Sequence, residues 1–163
     1  MSLVNAGTRP RDLVTRESFE NAITGVMATG GSTNAVLHLL AMAHDFGVPL
    51  SLDDFDRISR KTPVLADMRP WGTYTAPEMY EAGGMPVVGK RLLQAGLLSP
   101  DERTVTGRTL REEIERAPEP AGQQVIKPID APLKKEGGLA ILRGNLAPGA
   151  CVIKISGQKK ALH

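Results

Sequence analysis

The residues with the clearest potential for chemistry form a short turn, Gly30-Gly31-Ser32-Thr33-Asn34, between two apolar stretches of the chain. Ser32 or Thr33 can begin a helix, and the first backbone N–H groups of a helix have no acceptor inside it. These N–H groups, two hydroxyls and the helix dipole together favour a negatively charged ligand. The alternative is structural, because glycines also let two buried helices approach closely. The run is short, and the local pattern leaves both interpretations open.

Two amphipathic helices must position this turn. Before it, Thr15 is a predicted N-cap, and five apolar residues recur at helical spacing. They are Phe19, Ala22, Ile23, Val26 and Met27. After the turn, residues 35–43 are nearly all apolar, so we expect most of that helix to be buried inside a larger body, with Gly47 ending it.

Capping signals predict four further helices. Ser51-Leu52-Asp53-Asp54 places a cap and two acids in the first turn of a helix that ends near residue 62, which explains the paired carboxylates without catalysis. Thr75-Ala76-Pro77-Glu78 and Thr109-Leu110-Arg111-Glu112 are capping boxes. Pro86 begins the remaining helix, and the glycine at position 96 ends it.

The composition changes at residues 118–122, which have the pattern of a linker. Beyond it, residues 138–142 and 150–155 are short apolar runs typical of strands, joined through a predicted type II turn at Pro148-Gly149. The sequence therefore predicts two domains, a mainly helical one over residues 1–120 and the start of a β-rich one over residues 121–163. A single hairpin needs further strands to cover it.

Overall composition narrows the classes of function. The chain has 163 residues and a formal net charge of +2, which gives no argument for a nucleic-acid partner. The basic pair Lys159-Lys160 is predicted to lie in a solvated tail. No apolar run approaches the roughly 20 residues that span a bilayer, so a soluble cytoplasmic protein is the expectation. The single cysteine excludes an internal disulfide and a cysteine-rich metal site within one chain.

Few other side chains suggest chemistry. Cys151 stands among apolar residues and is predicted to be a buried structural thiol. His38 is predicted to be a hydrogen-bonded core histidine, because none of the three histidines has a zinc-site spacing. Trp71, the only tryptophan, lies in a loop and either lines a pocket or plugs an edge of the core. The sequence has no Walker loop and no nucleophile-elbow or dinucleotide-binding motif.

Longer motifs give a more specific indication of the family that the chain resembles. The chain resembles the dihydroxy-acid dehydratase and 6-phosphogluconate dehydratase family in several stretches that follow one another in order over nearly its whole length. These stretches are residues 19–23, 30–41, 55–63, 65–67, 82–86, 104–110, 137–148 and 152–157.

That resemblance implies an α/β family fold and an activity. Such enzymes remove water from 2,3-dihydroxy acids with an iron–sulfur cluster and a divalent cation, usually Mg, and join an α/β N-terminal domain to a β-barrel-like C-terminal domain. The cluster cysteines belong to segments before Thr15, and a serine base to segments after Ser156. The resemblance therefore implies a mostly helical interior fragment that has no catalytic residue, no metal ligand and no bound cofactor, and is inactive alone.

Within the family, residues 37–44 and 61–67 are more similar to the branched-chain amino-acid enzymes than to sugar-acid dehydratases. The resemblance then implies a small 2,3-dihydroxy acid as substrate, with Gly31, Ser32, Thr33 and Asn34 as its binding residues, and a homo-oligomer. One alternative is a fragment of an aldonate or 6-phosphogluconate dehydratase. Another is a non-catalytic structural or interaction fragment whose uncovered apolar faces self-associate.

Overall fold

The computed structural model describes residues 2–157. Within that range the chain forms seven α-helices, one short 3-10 helix at Pro10–Asp12 and two β-strands. The helices are α1 (Ser2–Asn5), α2 (Arg16–Thr29), α3 (Asn34–Phe46), α4 (Leu52–Lys61), α5 (Ala76–Glu81), α6 (Gly84–Gln94) and α7 (Leu110–Arg116). The strands are β1 (Leu139–Gly144) and β2 (Ala147–Lys154). The prediction for the Lys159-Lys160 pair falls outside the described residues.

Local capping chemistry starts the helices where the sequence predicts. Thr15 caps α2, since its hydroxyl accepts the Ser18 N–H at 3.0 Å. In the three capping boxes that start α4, α5 and α7, an acid accepts the backbone N–H of the cap residue at 2.9, 2.7 and 2.7 Å. Helix α6 begins at Gly84 rather than at Pro86, because Gly83 takes up the left-handed conformation that ends one helix and lets the next begin at once.

The hairpin confirms two antiparallel strands but not their predicted turn. The chain reverses at residues 145–146, and Pro148-Gly149 lies inside β2. Between the pairs Leu142↔Cys151 and Gly144↔Ala147, β2 has three residues where β1 has one. Ala150 has a φ of +81° in this bulge. Because the two-stranded sheet is open and β2 bulges there, a proline without an N–H costs no ladder hydrogen bond.

Partners in an antiparallel pair lie on the same face of the sheet. Ile141 and Val152 face the helices, so the next pair, Leu142 and Cys151, points away from them. Cys151 is accordingly exposed, and the prediction of a buried thiol is wrong. Alternation along the strand, rather than the apolar character of its neighbours, decides where this thiol points.

Two hydrophobic clusters hold the elements together. One joins α2, α3 and α4 to the inner face of β1, and consists of Ile23, Met27, Val36, Phe55, Ile58, Leu139 and Ile141. The other joins α5 and α6 to the segments around residues 65 and 125, with Leu65, Met79, Val87, Val88, Leu92, Val125 and Ile126 among its members. Residues on both sides of position 120 therefore share the same clusters. The division into two domains stays a prediction.

Helix α3 is much less buried than its sequence predicts. Only Val36 and Ala43 are buried, while Leu37 is 65% exposed and Met42 is 47% exposed. His38 is exposed as well, so the prediction of a core histidine is wrong. The physical reason is the same for all three exposed residues, because the part of the chain that the structure describes packs against only one side of this helix. Similarly, Ala22 on α2 is exposed although its helical spacing matches the buried face.

Ion pairs between charged side chains connect α2 to α4. Asp54 is paired with Arg16 and, at 3.1 Å, with Arg57, and Arg57 also binds Glu20 at 2.6 Å. Partial burial on its own raises the pKa of Asp54. The Ser51 backbone N–H and the two guanidiniums outweigh that effect and hold the pKa of this carboxyl below its usual value.

This lowered pKa predicts an acid-sensitive contact. A carboxyl with a depressed pKa in the folded state contributes stability above its unfolded pKa, and loses it as the pH falls through the folded value. We expect Asp54→Asn to lower the free energy of unfolding by about 1 to 2 kcal/mol at pH 7. Below about pH 4 the difference should shrink, since the Asp54 carboxyl then binds a proton more readily in the unfolded chain than in the folded one. Urea unfolding of both proteins between pH 3 and pH 7 measures this, and a constant difference across the range would contradict it.

Candidate functional site

The turn between α2 and α3 is tightly folded and leaves donors free. Gly30 ends α2 in the left-handed conformation, with a φ of +59°. The Gly31 N–H donates to the Val26 carbonyl at 3.0 Å, and the Asn34 N–H donates to the Ser32 hydroxyl at 3.2 Å. Thr33 is the N-cap residue of α3 but makes no side-chain cap bond, and the Ser32 hydroxyl instead accepts the N–H of the first helical residue. Within residues 2–157 the backbone N–H groups of Ser32 and Thr33 have no acceptor.

A loop from a distant part of the sequence forms the opposite side of this turn. The loop covers residues 67–74 and is closed by its own hydrogen bonds. The Arg69 N–H donates to the Tyr74 carbonyl at 2.8 Å, the Gly72 N–H donates to the Met68 carbonyl at 2.7 Å, and the Thr73 N–H donates to the Asp67 carboxylate at 3.0 Å. These bonds present the half-buried Trp71 side chain to the turn. Of the two predicted roles for Trp71, the structure shows the one in which it lines a cleft.

The end of the hairpin completes the cleft. The Gly138 N–H donates to the Met27 carbonyl at 3.1 Å, and the Gly138 carbonyl accepts the Ile155 and Ser156 N–H groups at 2.8 and 3.1 Å. This backbone connection ties the residues that follow β2 to the end of α2. It places Lys154 at the cleft and buries Ser156 behind Gly30.

The resulting cleft has a volume of about 530 Å³ and is lined by residues 29–33, residues 68–71 and Lys154. The polar side chains that line it are hydroxyls, the Trp71 indole and two cations. Free backbone N–H groups, the hydroxyls of Ser32 and Thr33, and the cation Lys154 all favour an anion. Arg69 adds a second positive charge, and its Nε–H already donates to the Thr73 carbonyl at 3.0 Å. Among residues 2–157 no carboxylate lines it, so its chemistry suits a carboxylate or phosphate group of a ligand.

A second hollow in the described chain lacks this chemistry. It lies between α2, α6 and α7, has a volume of about 320 Å³ and is mainly apolar. Its two polar lining residues are already engaged, because Asn21 binds the Ser99 backbone and Glu113 binds Arg108. The cleft at residues 29–33 is therefore the better candidate for binding a charged ligand.

The structure brings together only part of the predicted binding residues. Gly31, Ser32 and Thr33 line the cleft, whereas Asn34 is exposed beside it and does not. Their role in binding substrate stays a prediction. Sequence reasoning missed Arg69, Lys154, Gly138 and Ser156, because these residues join the turn only through long-range contacts. Within residues 2–157, no three side chains of His, Cys, Asp or Glu are grouped as metal ligands would be.

The chain matches two family models and several known proteins along most of its length. Residues 1–113 match the family model for the dihydroxy-acid/6-phosphogluconate dehydratase N-terminal domain, and residues 124–163 match the model for the C-terminal domain. The chain is 63% identical over 153 residues to a dihydroxy-acid dehydratase of Thermus thermophilus, covering 93% of this chain and 28% of the relative.

Two further relatives with the name dihydroxy-acid dehydratase give the same pattern. One from Methylococcus capsulatus is 55% identical and one from Koribacter versatilis is 52% identical, each over 160 residues, which is 98% of this chain and 28% of the relative. The chain thus spans 28% of the length of these curated relatives. No helix within residues 2–157 is long and apolar enough to cross a membrane.

Proposed function

Because the chain belongs to the dihydroxy-acid/6-phosphogluconate dehydratase family, we propose that it is part of a hydro-lyase that converts a 2,3-dihydroxy acid to a 2-keto acid in branched-chain amino-acid biosynthesis. The relatives named dihydroxy-acid dehydratase support this substrate class. We propose that the chain is an interior segment of the enzyme, that it acts in the cytoplasm, and that its hairpin begins a β-barrel-like domain.

The observation that supports the proposal most directly is the anion-binding character of the cleft. Every substrate of this class has a carboxylate beside the carbon atoms that react. The Ser32 and Thr33 N–H groups can bind that carboxylate at the positive end of α3, and Lys154 adds a charge. These residues bind and orient the substrate. Elimination then takes the C2 proton and the C3 hydroxyl, and the enol that remains becomes the 2-keto acid.

The family's cofactors do not fit the residues of this chain. An iron–sulfur cluster is held by several cysteine thiolates, and this chain has one cysteine, which is exposed on the outer face of the hairpin. Nor do residues 2–157 contain a group of acidic side chains suited to Mg. In this proposal residues 2–157 bind and orient the substrate and contribute no catalytic residue.

An activity assay tests the proposal. Protein produced from the complete reading frame should release a 2-keto acid from 2,3-dihydroxyisovalerate much faster than from gluconate or 6-phosphogluconate. The reverse preference would favour a sugar-acid dehydratase, and no turnover of any of these acids would favour a non-catalytic fragment. Either result overturns the proposed function.

Two variants test the turn in that enzyme. Ser32→Ala and Thr33→Val remove hydroxyls at little change in volume, and we expect each to raise KM or lower kcat by about 5- to 30-fold. The melting temperature should stay unchanged in Thr33→Val and fall slightly in Ser32→Ala, which loses the hydrogen bond from the Asn34 N–H. Thr8→Val makes the same change outside the cleft and should leave the kinetics unaltered. Wild-type kinetics in both turn variants would show that the turn does not bind substrate.

The exposed apolar surface supports a homo-oligomer. Leu37 and Met42 on α3 are largely exposed, and Leu142 on the outer face of the hairpin is 47% exposed. Apolar surface costs roughly 25 cal/mol for each Å² left in water, so we propose that copies of the chain cover these faces. Sedimentation should show reversible self-association that Leu37→Glu weakens. A stable monomer at high protein concentration would contradict the proposal.

A further inference from the structure

Two polar groups without partners meet at Gly30. A Cβ atom built on Gly30 would lie 2.9 Å from Trp71 Nε1 and 3.1 Å from Ser156 Oγ. The indole N–H of Trp71 has no acceptor within residues 2–157. Ser156 is 3% exposed, and its hydroxyl has no hydrogen-bond partner in the same range. Trp71 lines the cleft, whereas the unpaired Ser156 hydroxyl lies buried behind Gly30.

The two groups differ in their access to solvent. A buried hydroxyl without a partner destabilises the fold, whereas the Trp71 indole N–H is not fully buried and is accessible to a ligand in the cleft. Here the backbone holds both groups in place. Hydrogen bonds inside the loop of residues 67–74 fix Trp71, and the Gly138 carbonyl fixes Ser156 through its N–H. The groups are thus held ready for an acceptor that the described chain does not supply.

The neighbouring groups define the charge of that acceptor. The free N–H groups of Ser32 and Thr33 and the Lys154 ammonium line the same cleft. A carboxylate offers about four lone-pair positions on two oxygens, which suits several N–H donors arriving from different directions. A neutral ligand would leave the cation and the helix dipole without a counter-charge.

We propose that Trp71 is a specificity-determining residue whose indole N–H donates to the carboxylate of a 2-hydroxy acid, and that Ser156 is the positioning residue behind it. This inference rests on the proposed function, because it assigns the carboxylate of that substrate class to the cleft. The Trp71 N–H and the Ser32 and Thr33 N–H groups hold the carboxylate oxygens. Ser156 keeps the Trp71 ring and Gly30 in register.

Trp71 is the single tryptophan, so its indole N–H can report ligand binding without ambiguity. A ¹H–¹⁵N spectrum of the ¹⁵N-labelled 163-residue chain therefore has one indole resonance. The ligand is 2-hydroxyisovalerate, which has the carboxylate and the 2-hydroxyl group but no 3-hydroxyl group to lose. We expect a saturable downfield shift of the indole proton. The neutral amide of the same acid should cause no shift.

Calorimetry of variants then measures the contribution of each residue. Trp71→Phe keeps the ring but removes the N–H, and should weaken binding of 2-hydroxyisovalerate about 10- to 100-fold. Ser156→Ala should weaken it by a smaller factor without lowering the melting temperature, because it removes an unpaired buried hydroxyl. Tyr80→Phe, on an exposed ring, should bind as the wild type does.

An indole resonance that does not move, or equal affinity in Trp71→Phe, overturns the inference. An equal response to inorganic phosphate also overturns it, since the cleft would then be a general anion site. If the indole fails to respond while the enzyme from the complete reading frame dehydrates 2,3-dihydroxyisovalerate, only the inference fails. If the indole responds and no dehydration occurs, only the proposed function fails.

Discussion

Replacing Phe55 with alanine is expected to lower the free energy of unfolding by about 3 to 5 kcal/mol. The Phe55 side chain is fully buried in the cluster that joins α2, α3 and α4 to β1. Truncation loses its apolar burial and leaves a cavity, and the walls of that cavity are side chains from four different elements. Urea unfolding followed by circular dichroism measures the loss.

The same cluster predicts how the chain unfolds. Leu139 and Ile141 of β1 pack beside Phe55, so the hairpin and the helices should unfold together. Helical circular dichroism and Trp71 fluorescence should therefore change at the same urea concentration in wild type and variant. Tyr80→Ala, on a ring that is 83% exposed, should change the free energy by less than about 0.5 kcal/mol. A loss below about 1 kcal/mol in Phe55→Ala, or two separate transitions, would show that the cluster does not unite the chain.

Helix starts were the most predictable part of the fold, and the reason is local. A cap and the acid three residues later bind each other across one turn, as Thr109 and Glu112 do in both directions. Nothing distant is needed for such a contact, so its residues can be recognised in the sequence. Gly47 ends α3 for a similarly local reason, since its φ of +71° suits a residue without a side chain.

Features that depend on tertiary packing were predicted less well. The exposure of His38 and Cys151 depends on which side of a helix or strand another element covers, and that information is not present in the neighbouring residues. The hairpin turn is a related case. Pro148-Gly149 has the composition of a turn, but the pairing of Gly144 with Ala147 places the reversal before it. How the whole hairpin packs against the helices decides which of these residues form the turn.

The candidate site also combines a local part that the sequence predicts with distant residues that it does not. The turn at Gly30 was recognisable because its glycines, hydroxyls and following helix are contiguous. Its partners Trp71, Lys154 and Ser156 come from other parts of the chain. Pairing of β2 with Leu139 places Lys154, and the Gly138 carbonyl places Ser156. No local pattern distinguishes Lys154 from another strand lysine, so the sequence alone could not include it in the site.

The glycines of the turn and of the hairpin also show which two backbone segments approach each other closely. A Cβ on Gly138 would lie 2.4 Å from the Gly30 Cα, which is a backbone atom and cannot turn aside. A Cβ on Gly31 would instead meet the side chain of Val26 at 3.1 Å, so that side chain would have to shift by only a few tenths of an ångström. The tight packing is therefore between the turn and the start of the hairpin, rather than between two helices.

We therefore expect Gly138→Ala to lower the free energy of unfolding by about 3 kcal/mol, because the backbone of the turn and of the hairpin must separate to admit a methyl group. Gly31→Ala should cost less than about 1 kcal/mol. Gly144→Ala is the matched control, since a Cβ there meets no atom within 4 Å and the change should be close to zero. Urea unfolding measures all three. If Gly31→Ala unfolds the protein while Gly138→Ala retains its stability, the packing at this turn is at Gly31, and the contact of Gly30 with Gly138 does not hold the cleft together.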